Sequence, residues 1–421
     1  MELTLQYISD DITQLYTTFI LLLDTMNLQD LLSAKNKLQK TDPNILEKRQ
    51  QALTHKSEKE KAAAHEIRKI VGIENDDQRR DYFYNAVVEQ WYENLETLTF
   101  KSYFVALTDP EKLEILIRYY ERFEETMDLG QRSDYKLVID VNLKEFDRQC
   151  DLSNLEKRIE EKMNAHSGDE TGFFVKLSTR SPKDSVSVLE KAKDEFLKQA
   201  KTTDTQNEKW CKIADLVRLA SKLNTGKDAI NILIDSERVG EDMLSCLDGK
   251  IKPMSLVLRP FDDSITPDTE FRGFVWNGRF TCVGQYFFDL FYPGIVENKN
   301  QISEDLQRFY SEKIRDKLFP ENGKNLESFG SKVPCFVMDL VWRGADKEPL
   351  LIEINPFDGE ALCVFKGSTG LYDWSDIEGD RKVIMGACEE NFTIRVREEE
   401  PSGAEVLLNR NPDWVDIVKM V

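Results

Sequence analysis

Asp339, Glu353 and Asn355 sit on two short apolar runs, residues 334–342 and 349–356, that read as the arms of a β-hairpin. Side chains alternate faces along a strand. Phe336, Met338, Leu340 and Trp342 therefore share one apolar face, continued on the second arm by Leu350, Ile352 and Ile354. Asp339, Glu353 and Asn355 fall on the other face, and a register pairing Trp342 with Leu350 sets Asp339 opposite Glu353. Three oxygen-bearing side chains converging on one face are the set a hard cation such as Mg²⁺ takes, particularly when nucleotide phosphates complete its shell. Any one of them alone also fits a solvated position on an exposed sheet face. Taken as a set, they favour a metal site.

Two further constellations lie upstream. The strand-like run 172–177 opens into Ser178-Thr179-Arg180-Ser181-Pro182-Lys183-Asp184-Ser185. A cationic, hydroxyl-rich turn before a helix presents backbone amides and partial positive charge to an anion. Lys176 can lie along the strand toward a phosphate, Ser178 starts the loop, and Arg180 and Lys183 can reach in from it. Asp184 is expected to cap a helix running to about Gln199. An exposed basic loop with an ordinary cap would look the same. Farther on, Leu256-Val257-Leu258-Arg259-Pro260-Phe261 precedes Glu270-Phe271-Arg272-Gly273-Phe274-Val275. An apolar strand ending in a polar link can hold a flat base, and Arg272 can neutralise phosphate. Arg272 paired with a neighbouring carboxylate reads equally well from these residues alone. There is neither a Walker lysine motif nor a G-x-G-x-x-G, so the usual nucleotide folds are not indicated.

The elements that would position these groups divide into two kinds. Residues 1–133 read as a helical region. Its first amphipathic face comprises Ile8, Ile12, Leu15, Phe19, Leu22 and Met26, and Asp42-Pro43 starts another helix. Gly72 is a stop, and Thr108-Asp109-Pro110 starts a helix ending near Gly130. From residue 134 the period changes. Residues 135–141 read as a strand and 151–164 as a charged helix; helices continue through 184–199, to about Asn224, and over 227–246. Strands are expected at 254–261, 270–276, 279–287 and near 392–396, with a helix at 302–318. Asn277-Gly278 marks a tight hairpin. Segregated strands and helices without βαβ alternation make the fold class α+β. The expected division is 1–133, then 134–421 with subdomains 134–255 and 256–421.

Composition narrows the function classes. The 421 residues are 40% hydrophobic and 32% charged, which describes a globular chain of two or three domains. A net charge of −20 argues against broad nucleic-acid binding and is compatible with a protein partner. Seven scattered cysteines (150, 211, 246, 282, 335, 363 and 388) fit free thiols in a reducing compartment. The only histidines are His55, His65 and His166, so the chemistry must rest on carboxylates, Lys and Arg. Phe19-Ile20-Leu21-Leu22-Leu23 is too short to span a bilayer and lacks a basic leader, so a cytoplasmic protein without a membrane partner is expected.

In chain order these parts are a strand lysine, a phosphate-type loop, an apolar base-binding strand, a strand arginine and a carboxylate hairpin. That order resembles the ATP-grasp fold, and the wording resembles the cell division cycle protein 123 (D123) family. The matching phrases are Phe174-Val175-Lys176-Leu177, Ser181-Pro182-Lys183-Asp184, Leu256–Arg259, Glu270–Val275 and Glu353-Ile354-Asn355-Pro356-Phe357. The resemblance implies bound ATP and Mg²⁺. Lys176 and Arg272 would contact phosphate and carry any catalysis; Ser178, Arg180 and Lys183 would lie in the nucleotide loop. Arg259 and Phe261 would lie near the base, and Asp339, Glu353 and Asn355 would hold the metal. It also implies a protein partner, either the gamma subunit of eukaryotic initiation factor 2, a factor for which the family acts as an assembly factor (a chaperone-like role), or another client. The alternative is an ATP-grasp enzyme that forms an acyl phosphate and ligates or phosphorylates an acceptor. Three departures stand out. Glu353 occupies a position where the family mostly shows Asp. Gln285-Tyr286-Phe287 replaces a Gln-Arg-Asp. The helical N-terminal region is larger than usual, which implies an added partner or specificity module.

Overall fold

The computed structural model describes residues 66–401 except Ile67, Asp128, 147–149, 167–171, Pro253, 321–327, 358–370, Ser375 and 388–391, together with Trp414, Val415, Ile417 and Val418. The helices expected over 8–26 and from Asp42, with His55, His65, Cys363 and Cys388, lie outside the described residues. Internal contacts divide the chain into two units, residues 1–59 with 123–128, and residues 60–122 with 129–421. The second unit carries both sheets and every candidate site residue.

Its first described elements are helices α1 (Asp76–Ala86) and α2 (Val88–Leu95), strand β1 (Tyr103–Ala106) and helix α3 (Asp109–Phe123). Asn75 caps α1 by accepting from the Gln78 N–H at 2.9 Å. Thr108 and Glu111 close a capping box at the start of α3, as its Thr-Asp-Pro start implies. Strand β1 is a correction, because residues 1–133 were expected to be helical throughout. Its four residues, Tyr-Phe-Val-Ala, pair antiparallel with β3 (Ser255–Pro260), so sheet pairing outweighs the helical surroundings.

Helix α4 (Leu129–Glu145) is the second correction, since residues 135–141 were expected to be a strand. The buried positions are Tyr135, Val138, Ile139 and Asn142, the i, i+3, i+4, i+7 pattern of a helix face. Leu137 and Val141 point outward, 63% and 53% exposed. The β-branched run suggested a strand, but burial follows the 3.6-residue period.

Helices α5 (Ser153–His166), α6 (Val186–Gln199), α7 (Gln206–Ala220), α8 (Gly226–Ile234) and α9 (Glu237–Leu247) accompany a three-stranded antiparallel sheet in the order β1-β3-β2, where β2 is Phe173–Leu177. Asp184 does not cap α6. It accepts from Ser236 Oγ at 2.6 Å and from the Arg238 N–H at 3.0 Å, at the start of α9. Asp235, just before α9, in turn accepts from the Ser187 N–H of α6 at 3.0 Å and from the hydroxyls of Ser185 and Ser187. The two helices exchange their caps.

The larger sheet runs β7-β6-β4-β5-β8, with β4 Glu270–Trp276, β5 Arg279–Gln285, β6 Phe336–Val341, β7 Leu350–Pro356 and β8 Thr393–Arg395. Asn277 (φ 47°) and Gly278 (φ 72°) make the β4–β5 turn in the left-handed region that a tight hairpin needs. On one face Phe271, Phe336, Met338, Leu340, Leu351 and Ile354 join Trp91 and Leu95 of α2 and the helix α10 (Lys299–Phe309) in a single core. On the other face Phe274, Trp276, Cys282 and Val337 pack with Phe357, Tyr372 and Trp374. Between that aromatic cluster and the sheet end lies a polar row.

Candidate functional site

The row is built by register. Asp339 of β6 lies opposite Glu353 of β7 on one side and Arg272 of β4 on the other. The Asp339–Glu353 pairing is as expected, but Leu350 pairs with Val341 instead of Trp342, because the register shifts between Asp339 and Leu340. Ile352 is the extra residue of this bulge, so Leu351 replaces it in the core. Arg259 of β3 bonds the Ile352 carbonyl with a terminal N–H at 2.7 Å, while Nε donates to Ser102 at 3.0 Å. Thr99 covers the adjoining Leu351 carbonyl at 2.7 Å, so the outer edge of β7 is closed.

Two ion pairs cross the row. Arg272 grips Asp339 with both forks, Nε to Oδ1 at 2.8 Å and a terminal nitrogen to Oδ2 at 2.7 Å. Lys176 comes from β2 of the small sheet, where Val257 is its partner, and bonds Glu353 at 2.5 Å. The Asn355 amide nitrogen lies 3.4 Å from Asp339 and 3.3 Å from Glu353, bridging the carboxylates. Tyr82 of α1 anchors the strand end, accepting from the Phe357 N–H at 3.3 Å and donating to the Cys335 carbonyl.

Burial sets the electrostatics. It pushes the Lys176 ammonium down, against the pull of Glu353. Burial alone would raise Glu353, but Lys176, Lys183 and the Asn355 amide hold it well below the usual carboxylate range. Asp339 is driven upward by burial and by the Glu353 charge, with Arg272 opposing. Glu270 is raised by burial and by the two carboxylates, despite Lys183. Arg259 is lowered by burial to about 10. One terminal nitrogen of its guanidinium is buried without a hydrogen-bond partner.

The sequence-derived set therefore divides. Lys176, Lys183, Arg259, Arg272, Asp339, Glu353 and Asn355 come together. Ser178, Arg180 and Phe261 are engaged elsewhere. The Ser178 hydroxyl donates to Glu89 and accepts from the Ser255 N–H at 2.8 Å, tying β2 to β3. Arg180 is held by α9, bonding Asp242 at 2.6 and 3.0 Å, Glu241 at 3.0 Å and the Arg238 carbonyl at 2.8 Å. Phe261 lies at the far end of β3, with Arg218 and Lys222 of the α7 region over its ring at 5.5 and 5.1 Å. Two residues outside the expected set join the site, Glu270 and Tyr286. Glu270 stands two positions before Arg272 and so shares its face, a period-2 signal present in the sequence. Tyr286 lies under Arg272 and Lys183; its position was marked in the sequence as a departure from Gln-Arg-Asp, but its contact with the two cations was not.

Asp339 and Glu353 offer hard carboxylate oxygens at one spot, the Asn355 amide would add its oxygen there on turning over, and Arg259 holds an unsatisfied buried donor beside them, so the residues fit a divalent cation with an anionic ligand. Among the described residues no cluster of three or more His, Cys, Asp and Glu side chains has metal-ligand spacing, so Asn355 has to complete such a set. Among the same residues no helix is long and apolar enough to cross a membrane.

Residues 220–409 match the family model of D123. No curated protein matches the chain. Similar solved structures are C-terminally truncated Cdc123 from Schizosaccharomyces pombe (18% identity, 76% of this chain and 98% of that one, TM-score 0.46) and Cdc123 from the same organism (18%, 76% and 98%, TM-score 0.44). Arg259, Arg272, Asp339, Glu353 and Asn355 all fall inside the segment, residues 220–409, that is similar to the D123 family.

Proposed function

We propose that the polar row is an ATP- and Mg²⁺-binding site of the ATP-grasp-like, cell division cycle protein 123 type. By resemblance the protein acts on a protein partner as an assembly factor for eukaryotic initiation factor 2, gripping its gamma subunit. The observation that carries the reading is the pair of crossed ion pairs, Lys176 with Glu353 and Arg272 with Asp339, on directly opposed residues. Without a ligand the site neutralises itself. A nucleotide and a divalent cation together offer each member a replacement of the right sign: phosphate oxygens for Lys176, Arg272, Lys183 and Arg259, and the metal for Asp339, Glu353 and Asn355. Mg²⁺ when bound supplies a hard positive centre for phosphate oxygens. Either ligand alone would leave one side of each pair buried and uncompensated, which is costly. Lys176, Arg272 and Arg259 bind and orient phosphate, and the neighbouring aromatic cluster keeps the dielectric low.

Equilibrium titration of ATP with and without Mg²⁺, in wild type and Asp339→Asn, tests the reading. Absent binding, or binding indifferent to Mg²⁺ in both proteins, would remove it.

A further inference from the structure

Tyr286 is the first residue beyond β5, and its backbone N–H donates to the Glu270 carbonyl at 3.0 Å. The guanidinium carbon of Arg272 stands 4.7 Å from the Tyr286 ring centroid, and Lys183 Nζ stands 5.0 Å from it. Both distances lie inside the roughly 6 Å range over which an aromatic quadrupole attracts a cation. Arg272 comes from β4 and Lys183 from the loop between β2 and α6, so two like charges from separate elements meet at one ring. Like charges repel, and Lys183 has a flexible stem that could carry its charge into solvent.

A carboxylate at position 286 would also hold the two cations. The site already contains Glu270, Asp339 and Glu353, however, and a fourth negative charge would oppose an anionic ligand. A neutral ring attracts both cations and cancels neither. We propose that Tyr286 is a positioning residue, a neutral seat that holds Arg272 and Lys183 side by side for a polyphosphate chain. The inference rests on the polyphosphate reading of the site and adds to it a residue that need not touch the ligand.

The test compares wild type, Tyr286→Phe, Tyr286→Leu and Tyr286→pentafluorophenylalanine. The last keeps a six-membered ring of similar size and reverses its quadrupole, so it guards against failure of the leucine variant to fold. Two readouts are taken: affinity for inorganic tripolyphosphate, and the rate of Lys183 acylation followed by peptide mass spectrometry without ligand. Tyr286→Phe should stay within about twofold of wild type in both. The leucine and pentafluoro variants should bind tripolyphosphate about tenfold more weakly, and their Lys183 should acylate several-fold faster. Equal behaviour of the phenylalanine and pentafluoro variants in both readouts would overturn the proposal. If wild type binds neither ATP nor tripolyphosphate, the functional reading falls and the acylation rates alone decide the role of Tyr286.

Discussion

Replacing Glu353 by Gln keeps the side-chain shape and removes one charge from the Lys176 pair. The lysine side chain is 3% exposed and the carboxylate 24%, with nitrogen and oxygen 2.5 Å apart. Removing one partner of a buried pair costs roughly 3–5 kcal/mol, and partial access of water to Glu353 places this case near about 3 kcal/mol. The loss should depend on pH in a defined direction. Burial already lowers the Lys176 pKa, and without Glu353 it falls further below the free-lysine value of about 10.4. Between the folded and unfolded pKa values the unfolded chain binds more protons, so stability rises with pH. The deficit of Glu353→Gln should therefore shrink as pH rises toward about 10, by at most about 1.4 kcal/mol per pH unit. On the acid side the sign reverses. Glu353 is held low in the fold, so its contribution is present above the unfolded carboxylate value of about 4.3 and is lost as pH falls below it. Urea unfolding of both proteins across about pH 4 to 10 measures the difference, in which titrating groups beyond the reach of the Glu353 charge cancel. A deficit under about 1 kcal/mol at neutral pH, or one that stays constant toward pH 10, would refute the buried ion pair.

Two predictions concern the scaffold. In Gly226→Ala, the new Cβ would lie 2.5 Å from the backbone oxygen of Glu156, where α8 meets α5, so about 1–3 kcal/mol of stability should be lost on denaturant unfolding. Asp235→Ala removes the cap of α6 and strands the Ser185 and Ser187 hydroxyls, so a loss of about 2 kcal/mol is expected in the same assay, with an earlier thermal midpoint.

The site was legible where period-2 alternation holds. Asp339 and Glu353 were placed opposite each other because their pairing lies on the near side of the bulge. The far side failed by one residue, since nothing in Pro349-Leu350-Leu351-Ile352 announces which residue the ladder will skip. Arg259 and Arg272 were found as strand cations, but the Ile352 carbonyl that Arg259 holds lies at that bulge, which local sequence did not announce. The cap role expected of Asp184 failed because Asp184 is satisfied at the start of α9, 54 residues away in sequence, and Arg180 is engaged by the same helix, 62 residues away. Tyr135–Val141 read as a strand from its β-branched residues, whereas the exposure of Leu137 and Val141 follows from long-range packing that local sequence does not contain. Tyr286 stood out only as a departure from Gln-Arg-Asp, because the two cations over its ring are brought in by other elements.

The proposed site binds Mg²⁺ and ATP as a coupled pair, and calorimetric titration of ATP with and without Mg²⁺ in wild type and Asp339→Asn measures that coupling directly. In wild type Mg²⁺ should tighten ATP binding by at least about tenfold, within the usual range for coupled ligands, and in Asp339→Asn the enhancement should collapse toward unity. An equal Mg²⁺ enhancement in both proteins, or no ATP binding by either, would contradict the account.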